Sequence, residues 1–124
     1  MSTRSLGAAA RSGAPIFAAL GDATRLRIVA KLSATGPLSI ARLTEGEAMT
    51  RQAITKHLAV LAEAGLVRDL WRGRERLWEF QPSPLDTARR YLDLVSQRWD
   101  AALARLAAMV ETNEADEEHD DPAA

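Results

Sequence analysis

Thr50-Arg51-Gln52-Ala53-Ile54-Thr55-Lys56-His57-Leu58-Ala59-Val60-Leu61-Ala62-Glu63-Ala64-Gly65 decides the fold of this 124-residue chain. Thr50 is a good helix N-cap, and Gly65 is the residue type that stops a helix in the left-handed region. Between them, Ile54, Leu58 and Leu61 follow an i, i+4, i+7 spacing that gathers them on one face. Gln52 and Lys56 fall on the opposite face, with Ala53 and Thr55 beside them. The stretch therefore predicts a helix over 51–64 with one side for docking and one side of hydrogen-bonding groups.

Upstream, Ser39 can cap a short helix through Glu45, interrupted by Gly46. A short helix, a turn and a strongly amphipathic helix form the helix-turn-helix pattern. Further upstream, Asp22 caps a helix to about Ser33. Its apolar positions are read as Leu26, Val29 and Ala30, extended by Ile28 and Leu32, and Gly36-Pro37 ends it. A shorter helix, Pro15 to Leu20, precedes it. Downstream, residues 66–71 and 76–81 read as two strands joined by Arg72-Gly73-Arg74-Glu75, with Trp78 and Phe80 turned to the core by strand alternation. Ser83-Pro84-Leu85-Asp86 starts a long helix expected to reach Val110. The expected architecture is mostly α with a small β-hairpin: a winged helix-turn-helix over 14–110, after a flexible segment 1–13 and before an acidic disordered tail 111–124.

Charge points to a polyanionic partner. All sixteen lysines and arginines lie in residues 1–110 with ten acids, a balance of +6, while the remaining seven acids stand alone in the tail. A helix that reads duplex DNA enters the major groove by its N-terminal half. There Gln suits the adenine edge, Lys or Arg the guanine edge, and Thr a thymine methyl or a phosphate. The candidate DNA-contacting residues are thus Thr50, Arg51, Gln52, Thr55, Lys56 and His57, with Arg72, Arg74 and Arg76 on the hairpin for phosphates or a narrow minor groove. His57 stands beside the apolar stripe, where packing competes with phosphate contact. In the last helix, Leu92, Val95, Trp99, Ala102, Leu106 and Met109 repeat at spacings of three and four, a heptad-like seam for self-association over 84–110. A two-fold pair would present two reading helices about 34 Å apart, and hence favour a roughly palindromic site.

Other classes are weakly represented. The sequence has no cysteine, which excludes disulfides and thiolate metal sites and fits a reducing cytoplasm. Neither an apolar run of membrane-spanning length nor a signal peptide is present. Without a phosphate-binding loop, a His-x-x-x-His pair or a triad, an enzyme is disfavoured. The rival reading is a winged-helix adaptor that binds protein and never DNA. It fits poorly with the intact polar reading face.

Two stretches resemble a known family. Leu20-Gly21-Asp22-Ala23-Thr24-Arg25-Leu26-Arg27-Ile28 is similar to the signature of ArsR-type repressors, with Ala23 where that family usually has proline, and Arg51 to Val67 resembles its recognition helix and following strand. The resemblance implies a homodimeric repressor on an imperfect inverted repeat of double-stranded DNA. The dimer would be built from the first and last helices, which adds Ile16, Phe17 and Leu20 to its interface. Metal-sensing members carry a Cys-x-Cys-type motif on the helix before the recognition helix, or His and acid ligands on the last one. Here Leu38 to Glu45 has no cysteine, and the last helix, read to Val110, has no histidine. No metal or cofactor is expected, and any inducer would be an unidentified small molecule.

Overall fold

The computed structural model describes residues 3–119. The elements run α1 (Thr3–Leu20), α2 (Ala23–Thr35), α3 (Ile40–Thr44), α4 (Arg51–Glu63), β1 (Val67–Arg72), β2 (Glu75–Phe80) and α5 (Ser83–His119). The chain divides into two units, residues 1–91 and residues 92–124. Among the described residues, no helix is long and apolar enough to cross a membrane.

The first unit is a winged helix-turn-helix. Ile28, Leu32, Leu43, Ile54, Leu58, Leu61 and Leu66 are its fully buried side chains, joined by Ile16, Ala19, Val67, Trp78 and Ala88. α2, α3 and α4 are each capped by a side chain. Asp22 accepts from the Arg25 N–H (2.9 Å), Ser39 from Arg42 (3.2 Å) and Thr50 from Ala53 (3.1 Å), each satisfying an otherwise unpaired N–H of a first turn. α4 ends in a Schellman motif: Gly65 at φ 77° donates to Ala62, and Leu66 donates back to Leu61. Leu61 and Leu66 close the same motif by full burial.

The hairpin pairs antiparallel from Val67↔Phe80 to Arg72↔Glu75, which leaves only Gly73 and Arg74 in the turn. Gly73 takes φ 65° and Arg74 does not take positive φ, the pattern of a II′ turn, whose twist matches that of the strands. The strands sit one residue off the expected 66–71 and 76–81. Leu66 is held instead by the helix stop, and its carbonyl accepts from Gln81. Leu38, in the α2–α3 connection, exchanges both backbone bonds with Trp78 (3.0 and 2.8 Å) and so adds a short third rung.

Three expectations change. In α2 the buried positions are Thr24, Ile28 and Leu32, and Leu26 is 51% exposed. The helical period was right but its phase was not, because residues two apart lie about 200° apart around the axis. α1 is helical from Thr3, where a flexible segment 1–13 was expected. Ala8, Ala9, Ala10 and Ala14 favour helix strongly enough to carry it through Pro15, which lacks the N–H that would bond the Arg11 carbonyl. α5 runs to His119 through residues expected to be a disordered tail, and so does end on a histidine. An established helix propagates without a new nucleus, and Ala107, Ala108, Met109, Glu111, Glu114 and Ala115 are good helix formers. The rest of the expected tail, residues 120–124, lies outside the described residues.

Candidate nucleic-acid interface

The site begins with α4. Ile54, Leu58 and Leu61 are completely buried and fix the helix rotationally, so its other face is set. That face exposes Arg51, Gln52, Thr55 and Lys56. Among the described residues, Arg51, Gln52 and Lys56 have no side-chain hydrogen-bond or ion-pair partner and are open to a ligand. The Thr55 hydroxyl donates to the Arg51 carbonyl (2.8 Å), which leaves its methyl and its lone pairs outward. The Thr50 side chain is spent on the N-cap. It orients the first turn, whose remaining N–H groups carry the partial positive charge of a helix start.

His57 is placed differently. It is one-fifth exposed, and its Nδ1 lies 3.1 Å from an Arg25 guanidinium nitrogen and 3.7 Å from Asp22 Oδ2. Arg25 can only donate, so Nδ1 is the acceptor in that pair. Arg25 also donates from Nε to the Ala19 carbonyl and from its other terminal nitrogen to Ala18 (3.4 Å). One guanidinium thus caps the last turn of α1 from its seat on α2 and reaches α4.

Arg27 grips both oxygens of Glu47 (3.1 and 3.0 Å) and also Thr24 Oγ1 (3.1 Å). Lys31 donates to the carbonyls of Arg42 and Glu45 at the end of α3 (3.2 and 3.4 Å). These bonds tie the turn before α4 to α2. They lower the Glu47 carboxyl below its ordinary value, first through the Arg27 hydrogen bond. The Asp22 carboxyl is also held low, first by the Arg25 backbone N–H and, less strongly, by the Arg25 charge. Sequence reasoning missed Arg25, Arg27 and Glu47 as the framework of the site. The signal was the Asp22-to-Arg27 stretch itself, in which cap, guanidinium and ion pair follow one another.

On the wing the arginines separate into two kinds. Arg76 bonds Asp69 (2.9 Å) and lies 4.6 Å over the Trp78 ring, and Arg68 pairs with Glu79. Arg72 and Arg74 are exposed, with no ion-pair or side-chain hydrogen-bond partner among the described residues. The tip therefore presents two free guanidiniums, while Arg76 is engaged along the sheet.

Of the residues expected at a dimer interface, Ile16 is buried in its own unit, Leu20 packs on the core, and Phe17 meets Tyr91 edge-on at 5.7 Å. In the second unit, α5 exposes Val95, Trp99, Leu106 and Met109 as well as Leu92 at its start, with Ala102 half-buried. Among the described residues there is no cluster of three or more potential metal-ligating His or acid side chains.

The chain is similar to known proteins. A helix-turn-helix domain family matches residues 20–69. The chain is 36% identical over 102 residues to the HTH-type transcriptional regulator Rv2034 of Mycobacterium tuberculosis, covering 82% of this chain and 92% of that protein. It is 30% identical over 95 residues to the arsenical resistance operon repressor of Escherichia coli, covering 77% and 79%. Among solved structures, an ArsR-like transcriptional regulator from Rhodococcus sp. RHA1 matches with a TM-score of 0.69 at 33% identity, covering 80% of this chain and 92% of that one.

Proposed function

Because the chain belongs to the ArsR family of helix-turn-helix transcriptional regulators, which bind DNA and are not enzymes, we propose that it is a homodimeric repressor that occludes a promoter by sitting on an imperfect inverted repeat. One observation carries this reading. Arg51, Gln52 and Lys56 on a rotationally fixed α4, and Arg72 and Arg74 on the wing tip, are exposed and unpaired in a unit that pairs many of its other cations. In the proposed complex Gln52 and Lys56 face base edges, Arg51 and Thr55 flank them, and Arg72 and Arg74 take phosphates. His57 supports the helix from behind, and Arg76 stays with Asp69. The exposed apolar seam of α5, from Leu92 through Trp99 to Met109, meets a second copy. An inducer, where there is one, acts on that helix pair and changes the spacing of the two reading helices. The missing cysteines turn this reading away from thiolate metal sensing.

Selection of duplexes from a randomised pool, followed by fluorescence anisotropy across a salt series, tests the proposal. Binding should fall log-linearly with salt as Lys and Arg displace condensed counterions. Gln52→Ala or Lys56→Ala should cost about 1–3 kcal/mol of discrimination at one base pair, whereas Arg74→Ala should weaken every sequence alike and lower the salt slope by about one. Wild-type protein that selects no duplex at low salt overturns the reading.

A further inference from the structure

Trp71 is 65% exposed on β1, one residue before the strand's end. It lies opposite Arg76 in the ladder and shares a strand side with Asp69. That side buries Val67 and Trp78 nearer the body. At Trp71 an indole is left in water at the end of the hairpin, in sequence beside Arg72 and close to Arg74, the two wing guanidiniums without a carboxylate partner. A lone exposed apolar side chain is ordinary on a protein surface. A large aromatic framed by unpaired cations has the composition of a surface that meets a polyanion with an apolar component. Duplex DNA offers this in the minor groove, where phosphates line the rims and deoxyribose edges form the walls.

We propose that Trp71 is a specificity-determining residue of the wing. It lays its indole against the sugar edges of the minor groove flanking each half-site, while Arg72 and Arg74 hold the phosphates on either side. The inference rests on the DNA-binding reading above and adds to it a second point of sequence discrimination. The guanine N2 amino group stands in the minor groove of G·C pairs and is absent from A·T pairs, and A-tracts narrow the groove. A flat ring pressed into that groove therefore favours A·T flanks. Gln52 and Lys56 read the major groove, so the two readouts are separable. Arg76, engaged by Asp69 and stacked on Trp78, stiffens the strand opposite Trp71 and takes no part in the contact.

The test uses the full chain and duplexes that carry one selected half-site pair with either A·T or G·C flanks. Wild type should prefer A·T flanks by about tenfold, within the usual range for a base-pair change. Trp71→Ala should abolish that preference, keep discrimination within the half-sites and leave the salt slope unchanged, because no charge is removed. Arg74→Ala should do the reverse, lowering the slope and keeping the flank preference. As a second readout, the difference in acrylamide quenching between wild type and Trp71→Phe reports Trp71 alone, and adding duplex should shield it. The inference is overturned if Trp71→Ala retains the flank preference, if wild type has none, if duplex leaves Trp71 fully quenchable, or if the substitution changes the oligomer mass and not the flank preference. If wild type binds no duplex at all, the DNA reading itself has failed.

Discussion

Replacing Arg25 with methionine should destabilise the first unit by roughly 2–3 kcal/mol. The guanidinium makes two well-formed hydrogen bonds, to the Ala19 carbonyl and to His57 Nδ1, and a long third to Ala18. A hydrogen bond from a charged donor contributes about 1.5–3 kcal/mol when buried. Arg25 is only partly buried, so water recovers some of that, and the two good bonds together keep about 2 kcal/mol. The long third and the uncapped end of α1 add a little more. Methionine retains the aliphatic packing and removes only the fork. For a unit of about 90 residues the loss should lower the melting temperature by roughly 8–24 °C. Lysine at this position keeps the charge but lacks the planar fork, and should recover less than half. Urea denaturation of wild type, Arg25→Met, His57→Ala and the double variant closes the cycle, and the coupling between the two sites should be about 1 kcal/mol. Additivity within about 0.3 kcal/mol would refute the claim that Arg25 ties α2 to the reading helix.

Three further outcomes follow from the same geometry. Asp22 and Glu47 have lowered folded pKa values, so their stabilisation is complete above the ordinary carboxylate pKa of about 4 and is lost as pH falls through the lowered values. Asp22→Asn with Glu47→Gln should therefore flatten the acid limb of the stability curve below about pH 4, read by denaturant midpoints at each pH. Thr50→Ala should cost about 1 kcal/mol of stability, as loss of an N-cap does, and thermal unfolding measures it. Trp99→Glu places a carboxylate in the proposed α5 seam. It should halve the mass seen by sedimentation equilibrium while leaving the melting of the first unit unchanged.

The reading helix was legible because independent signals agreed on it: Thr50 at one end, Gly65 at the other, and an apolar face between them that is completely buried. The order of helices and hairpin was legible for the same reason, since caps and glycine stops mark the boundaries from α2 to the hairpin turn. What escaped was of two kinds. The phase of α2 was misjudged because Leu26 and Ile28 are equally apolar, and only the packing of the body decides which points inward. The Leu38–Trp78 rung and the Arg25–His57 bond join residues 40 and 32 positions apart, and no local pattern encodes such a pairing. The ends of α1 and α5 were underestimated for a third reason. Alanine and glutamate there are neutral in a hydrophobic pattern but favourable in a helix, and the reading weighted pattern over propensity.

Counting cations shows that the body is basic but does not say where. The acids make that selection. Three carboxylates near the site each remove one candidate: Glu47 engages Arg27, Asp69 engages Arg76 and Glu79 engages Arg68. Backbone carbonyls and His57 take Arg25 and Lys31 in the same way. What remains unpaired on α4 and the wing tip, among the described residues, is Arg51, Lys56, Arg72 and Arg74, a quarter of the sixteen cations in the sequence. Phosphate contact by a paired arginine would first have to break its ion pair, whereas an unpaired one gives up only water and counterions. The same acids that build the framework therefore narrow the DNA-facing set. An arginine freed by neutralising its partner, as in Asp69→Asn for Arg76, should gain affinity for duplexes of any sequence and raise the salt slope toward one more displaced ion.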